Sequence, residues 1–361
     1  MRKLASIRRI TDIQPIPGAD AIEVCTVDGW KVVAQKAMGY EVGDLVVYLE
    51  IDSWVPHTIA PFLTKNAAIL KVFNGVEGER LKTIKLKGTT SQGLLMPISI
   101  LDDFGVFLGG ENEGVLVTAF IWKLHSGEIL RVEEGTDLTD LLGIQKWEAP
   151  LPAQLAGQAQ GMFPTQYAPK TDQERVQNMF REVYARKDEL YEWSLKLDGS
   201  SMTVFKIDGV LRVASRNLEL KISPENAENS YVKKAMEIGA LIEDVDNIVI
   251  QGELWGEGIN GNKEGITGVR FSVFDIVDPK TREKWDADRR FKFCAAHGIE
   301  HVPILGTYRE LPFESLDEIL AFADGPSLYA KNREGVVFKS LNDPEFSFKV
   351  ISNKWLMKGG D

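Results

Sequence analysis

Tyr191-Glu192-Trp193-Ser194-Leu195-Lys196-Leu197-Asp198-Gly199-Ser200-Ser201 is the stretch on which the reading of this chain turns. An apolar run ends at Lys196, and Asp198-Gly199 then forms a tight turn before a second run begins. A lysine at a strand end, followed by an acid and a glycine turn, presents a fixed amine that is a nucleophile candidate. Taken alone, Lys-x-Asp-Gly also describes an exposed lysine before a turn. Its weight comes from five further boxes that succeed it in order along the chain.

Downstream lie Ser215-Arg216-Asn217, Gln251-Gly252-Glu253-Leu254-Trp255-Gly256 and Phe271-Ser272-Val273-Phe274-Asp275-Ile276. Glu334-Gly335-Val336-Val337-Phe338-Lys339 and Ser347-Phe348-Lys349-Val350 close the series. Around these boxes the apolar spacing predicts strands at 193–197, 202–207, 211–214, 248–254, 271–277 and 335–339. Helices are predicted at 229–241, 289–297 and 316–323, and Thr171-Asp172-Gln173-Glu174 reads as the start of another. Upstream, residues 1–145 read as short strands separated by turns. These include a hairpin around Asp28-Gly29, Leu45–Leu49, an alternating run Arg80–Leu86, Gly93–Pro97 and Val115–Trp122. Such a pattern predicts a small closed β-barrel. Residues 146–170 carry Pro150, Pro152, Pro164 and Pro169 without an apolar period and read as a linker. The expected domains are therefore 1–145, a linker 146–170, and 171–361.

Bulk properties narrow the class. The chain has 361 residues, 44% hydrophobic and 26% charged, as in an ordinary globular protein of two domains. No apolar stretch reaches membrane-spanning length, and Met1-Arg2-Lys3 is followed by no signal-like apolar core. Two distant cysteines, Cys25 and Cys294, suggest neither a disulfide framework nor a thiolate site, so an intracellular, cytoplasmic setting is expected. A net charge of −11 argues against a protein that coats nucleic acid non-specifically, while leaving room for a local basic groove. Cys294, His297 and His301 have metal-like spacing, but Cys294 falls with Phe291 on an apolar helix face, and a core cysteine is the better reading.

With its ordered boxes, the span 171–350 resembles the covalent nucleotidyltransferase superfamily of polynucleotide ligases and mRNA capping enzymes. The resemblance implies an α+β fold: an N-terminal OB-like β-barrel followed by a mixed α/β nucleotidyltransferase (ATP-grasp-like ligase) domain. It implies that Lys196 attacks the α-phosphorus of ATP and becomes lysyl-AMP. Catalysis falls to Lys196, Glu334 and Lys349, with Lys349 neutralising the α-phosphate. Glu253 would hold the ribose, Phe274 would stack on the purine, and Arg216 would contact sugar or phosphate. Leu195, Asp198, Gly199 and Ser201 complete the ATP site. Glu334 and Glu253 would support Mg²⁺ or Mn²⁺. An amine with an ordinary pKa near ~10.4 must be activated, and a metal ion and neighbouring basic groups such as Lys349 are expected to do it.

The sequence ends twelve residues beyond Lys349, where DNA ligases and capping enzymes continue into an OB domain, which favours an RNA ligase. Asp20–Val24, Gly43–Tyr48 and Lys85–Gly88 before Ser91-Gln92-Gly93-Leu94 resemble the N-terminal OB module of the nick-sealing fifth RNA ligase family. Arg175, in Thr171–Gln177, resembles the arginine that reaches the triphosphate tail there. The expected substrate is RNA or an RNA/DNA duplex with a nick and RNA on the 3′-OH side. The expected enzyme is a monomer without membrane or obligate protein partner. The last motif has one lysine where some RNA ligases have Lys-x-Lys, and Lys354 and Lys339 are both candidates for the second charge. Two alternatives are a GTP-dependent guanylyltransferase and a non-catalytic RNA-binding protein. Label from α-labelled GTP but not ATP would mark the first, and absence of any label the second.

Overall fold

The computed structural model describes residues 3–65, 69–114, 116–148 and 157–358. The chain divides into two compact units between residues 149 and 150. The first unit is built from strands and short 3-10 turns. Its main sheet has the order Leu94–Met96, Leu45–Leu49, Ala5–Pro15, Ile22–Val27, Trp30–Gln35. Ala5–Pro15 shifts register between Ile10 and Asp12, which bends the strand so that it serves Leu45–Leu49 at one end and Ile22–Val27 at the other. The Asp28 turn joins the predicted hairpin, with Val27 opposite Trp30. A further sheet from Gly105–Glu113, Leu116–Leu124 and Ile129–Glu133 contributes Trp122 and Val132 to the core built on Ile7, Val47 and Leu49. Arg80–Leu86, expected as one strand, is two. Leu81 turns inward, its amide donating to Ser53 O at 2.8 Å, and the chain restarts as the hairpin Ile84–Leu86/Thr89–Ser91, whose first strand is exposed. Burying one leucine outweighed the alternation.

The second unit is α+β and contains two sheets. The six-stranded sheet has the order Ala159–Met162, Leu218–Leu220, Val210–Ser215, Ser200–Ile207, Ile248–Gly256, Val269–Val277. The five-stranded sheet has the order Glu174–Arg175, Ser347–Ile351, Gly335–Ser340, Tyr191–Lys196, Ile304–Tyr308. Helix Ser230–Leu241 packs Val232, Ala235 and Ile238 on the first sheet. Helices Val176–Ala185 and Leu316–Ala323 pack Val176, Val183, Ile319 and Leu320 on the second, against Val336, Phe338 and Phe348. The predicted helices begin where side-chain caps allow: Asn229, Asp286 and Ser315 each accept a backbone amide of the first turn.

Two expectations need correction. Thr171–Glu174 is not a helix start; Glu174–Arg175 instead pairs in parallel with Phe348–Lys349, and the helix begins at Val176. Ladder bonds to the last strand won over a capping box. Of the expected linker, residues 149–156 lie outside the described residues, but the rest is structured. Gln145–Lys146 pairs with Trp54 and Ser53, Ala159–Met162 extends the six-stranded sheet, and Phe163 and Ala168 are buried against Phe205 and Val249. Phe338 is fully buried and stacked on Phe348 at 5.1 Å. Phe338→Ala should cost about 3–5 kcal/mol, read by urea unfolding of the second unit's transition; a loss below about 1 kcal/mol would contradict this packing.

Candidate active site

The cleft lies where the two sheets of the second unit face each other. Strand Tyr191–Lys196 runs antiparallel to Gly335–Ser340 with Lys196 opposite Gly335. That register places Glu334, the residue just before the strand, against the lysine, and Lys196 Nζ donates to Glu334 Oε1 at 2.7 Å. Gly335 is required, because a Cβ there would meet Val350 O at 2.2 Å. Its absence lets Ser347–Ile351 close up and set Lys349 opposite Val337. Beyond Lys196 the chain crosses to the other sheet in three residues, 197–199, and re-pairs at Ser200 opposite Leu254. Gly199 makes the crossing possible; a Cβ would sit 2.4 Å from Leu254 O.

Lys196, Leu195, Asp198, Gly199, Ser201, Arg216, Glu253, Phe274, Glu334 and Lys349 all line one cleft of about 380 Å³. Ser201 pairs across the sheet with Glu253. Leu195, Leu197 and Val302 give the cleft its apolar floor, backed by Trp255, with Phe274 packed against them. Arg175 does not line this cleft. It is 6% exposed and in register with Lys349 on the neighbouring strand. Of the two candidates for a second charge, Lys339 lines the cleft. Lys354 is 65% exposed on its side chain and sits 3.5 Å from Asp324. Cys294 is buried in the core, while His301 accepts from Arg290 Nε at 2.9 Å through Nε2.

The RNA ligase family model matches residues 190–351, and an OB-fold domain model matches residues 4–98. Among solved structures, an apo point variant of Naegleria gruberi RNA ligase is 39% identical, covering 100% of this chain and 99% of that one, with a TM-score of 0.81. The same ligase solved with PPi is 38% identical over 100% of both chains, TM-score 0.81. A variant of it with ATP and Mn is 37% identical over 98% of both, TM-score 0.80. This chain belongs to the ATP-dependent RNA ligases. No curated protein sequence matches it.

Acids dominate the electrostatics around Lys196 in this ligase. Burial alone would push the Lys196 ammonium down, but Glu334, Glu253 and Asp198 together outweigh burial and raise it. The resting lysine is therefore held charged by acids, rather than discharged by neighbouring cations. Glu253 carries the counterpart shift. Burial, reinforced by Glu334 and Asp198 and only partly offset by Lys196, pushes it up to about 8. Glu334 Oε2 is buried and has no hydrogen-bond partner among the described residues. Among those residues no three His, Cys, Asp or Glu side chains are grouped to cage a metal. One or two carboxylates with an open oxygen suit a hard cation that keeps waters and phosphate oxygens as its other ligands, so Glu334 and Glu253 fit the group.

Several cleft residues escaped the sequence reading. Thr171, Asp172 and Gln173 form one wall. There Thr171 Oγ1 meets Ser201 Oγ at 2.6 Å, and Asp172 holds Arg216 at 2.7 Å. From the cleft lining, Lys339 Nζ donates to Phe274 O and Asp275 Oδ1, and Lys284 stands 3.4 Å from Asp275. Burial brings Lys339 down to about 8, whereas Lys284 and Lys339 hold Asp275 down at about 2 against its burial. The signal available was a charge ending each of two apolar strands.

Glu253 gives a pH test. Its folded-state value lies above the ordinary 4.5, so the folded protein retains a proton that the unfolded chain loses. The contribution is complete below about 4.5 and is lost as pH rises through about 8. Relative to Glu253→Gln, the melting temperature of the wild type should therefore fall by a few degrees between pH 5 and 9. Parallel curves across that range would refute the shift.

Proposed function

We propose that this RNA ligase works through a covalent lysyl-AMP and seals nicks. The carrying observation is the convergence of Lys196, Glu334, Glu253 and Lys349 on one cleft with an aromatic at its side. Lys196 Nζ, as the free amine, attacks the α-phosphorus of ATP. The N–P bond forms, the bond from that phosphorus to the bridging oxygen breaks, and pyrophosphate leaves. An RNA 5′-phosphate oxygen then attacks the same phosphorus, displacing the lysine and giving an adenylylated end. Finally a 3′-hydroxyl attacks the end phosphate in line, loses its proton and releases AMP.

Lys349 balances charge at the α-phosphate, and Phe274 stacks on the adenine. Glu253, protonated near neutral pH, donates to or accepts from a ribose hydroxyl. Arg216 leaves Asp172 to meet sugar or phosphate. Arg175, from the adjoining strand, supports the triphosphate tail. Glu334, joined by Glu253 when it is ionised, would hold a divalent cation, which would supply positive charge to offset the triphosphate. The Naegleria gruberi relative solved with ATP favours adenylyl over guanylyl transfer. The OB module grips the duplex flanking the nick through its β-face and loops. The buried free thiols Cys25 and Cys294, both pushed up to about 11 by burial, support an intracellular setting.

Incubation with ATP and Mg²⁺ should add one AMP per chain, located on Lys196 by peptide mass analysis and lost in Lys196→Ala. Glu334→Ala and Lys349→Ala should slow adduct formation by on the order of 10²–10³-fold. An adduct elsewhere, or from GTP alone, sinks the reading. A nicked duplex with each strand exchanged between RNA and DNA should be sealed only when the 3′-OH strand ends in RNA; equal sealing of all-DNA nicks refutes the substrate assignment.

A further inference from the structure

Between strands Ile248–Gly256 and Val269–Val277 the chain makes a loop, residues 257–268, to which the adenylylation chemistry assigns no role. It carries its own order. At its base Glu257 N donates to Gly268 O and Gly268 N to Glu257 Oε2, both at 2.9 Å. Inside it Asn262 Nδ2 donates to Ile266 O at 2.8 Å, and Asn262 Oδ1 accepts from Ile266 N at 3.2 Å. Asn260 and Asn262 sit at φ 43° and 49°, the left-handed region that asparagine tolerates better than most residues. A compact loop closed at its base is a stiff support rather than a floppy connection.

Its tip grips the nucleophile turn. Asn260 Nδ2 donates to Gly199 O. Lys263 Nζ lies 3.5 Å from Asp198 Oδ2 and 5.0 Å from the centre of the Trp355 ring. The next residue, Glu264, is 2% exposed and accepts from Ser327 Oγ at 2.5 Å, anchoring the tip to the body of the domain. The grip falls on the stretch 197–199, where the chain leaves one sheet and has not yet joined the other. Lys196 is the last residue before that gap, so sheet pairing fixes its backbone from one side only.

We propose that loop 257–268 is a clamp on the Lys-x-Asp-Gly turn, with Lys263 as a positioning residue for AMP transfer to Lys196. The inference rests on the lysyl-AMP reading. Lys263 bridges the turn and the segment after Lys349, and so holds the two lysine-bearing parts of the cleft in one geometry. In-line attack tolerates little displacement; a shift of about 1 Å can cost on the order of 10²-fold in rate.

The test is single-turnover adduct formation at varied ATP for wild type, Lys263→Met and Lys263→Arg, with thermal unfolding of each. Lys263→Met should lower the maximal rate about tenfold or more while the half-saturating ATP concentration stays within about twofold. Lys263→Arg, which keeps the charge, should recover most of the rate, and melting temperatures should be unchanged. A wild-type rate in Lys263→Met overturns the clamp. So does a change confined to half-saturation, or no recovery with Arg. Should Lys263→Met not fold, Asn260→Ala is read by the same rate criteria. If the wild type forms no adduct, the lysyl-AMP reading falls and the clamp with it; a normal wild type beside an unaffected variant sinks the clamp alone.

Discussion

The ion pair between Lys196 and Glu334 is the constraint around which the site is organised. It is a consequence of register: Lys196 faces Gly335, so the preceding glutamate has nowhere to point but at the amine. The same glycine admits the final strand at close range, which carries Lys349 to the cleft and provides the edge on which Glu174–Arg175 pairs. One antiparallel alignment thus places Lys196, the acid beside it and the second lysine.

That arrangement poses a chemical problem that the cleft is built to resolve. An amine must lose its proton to attack, yet three acids keep Lys196 charged at rest. The ion pair with Glu334 offsets part of the desolvation cost of a charge on a side chain that is 25% exposed. Of the domain's cations, Lys339, which lines the cleft, and Lys284 and Arg290 are committed to Asp275, Glu192 and the Phe274 carbonyl. Breaking one partner of such a buried set typically costs several kcal/mol. The network therefore fixes the strand that carries Phe274.

The boxes around Lys196, Arg216, Glu253, Phe274, Glu334 and Lys349 could be read from the linear chain because each lies in or beside a short apolar run bounded by turn signals. Helices with a polar cap and a clear apolar face, such as Leu316–Ala323, were equally legible. Legibility failed where a long-range partner overruled a local pattern. Thr171–Glu174 looked like a helix start until Phe348–Lys349 offered ladder bonds, and 157–170 looked like a linker until Leu218–Leu220 offered an edge. Loop 257–268 had only a Gly/Asn-rich composition to mark it, which says turn and nothing about what the turn touches.

The order of residue types alone marked which groups to look for at one cleft, because a lysine, an acid and a glycine at fixed spacing at a strand end constrain where the amine can go. Folding decided the charge state of those groups. Whether Lys196 rests charged or neutral depends on distances to Glu334, Glu253 and Asp198, and two of those acids lie far away along the chain. Coulombic energy falls with separation in space, so only the packed sheets could set it.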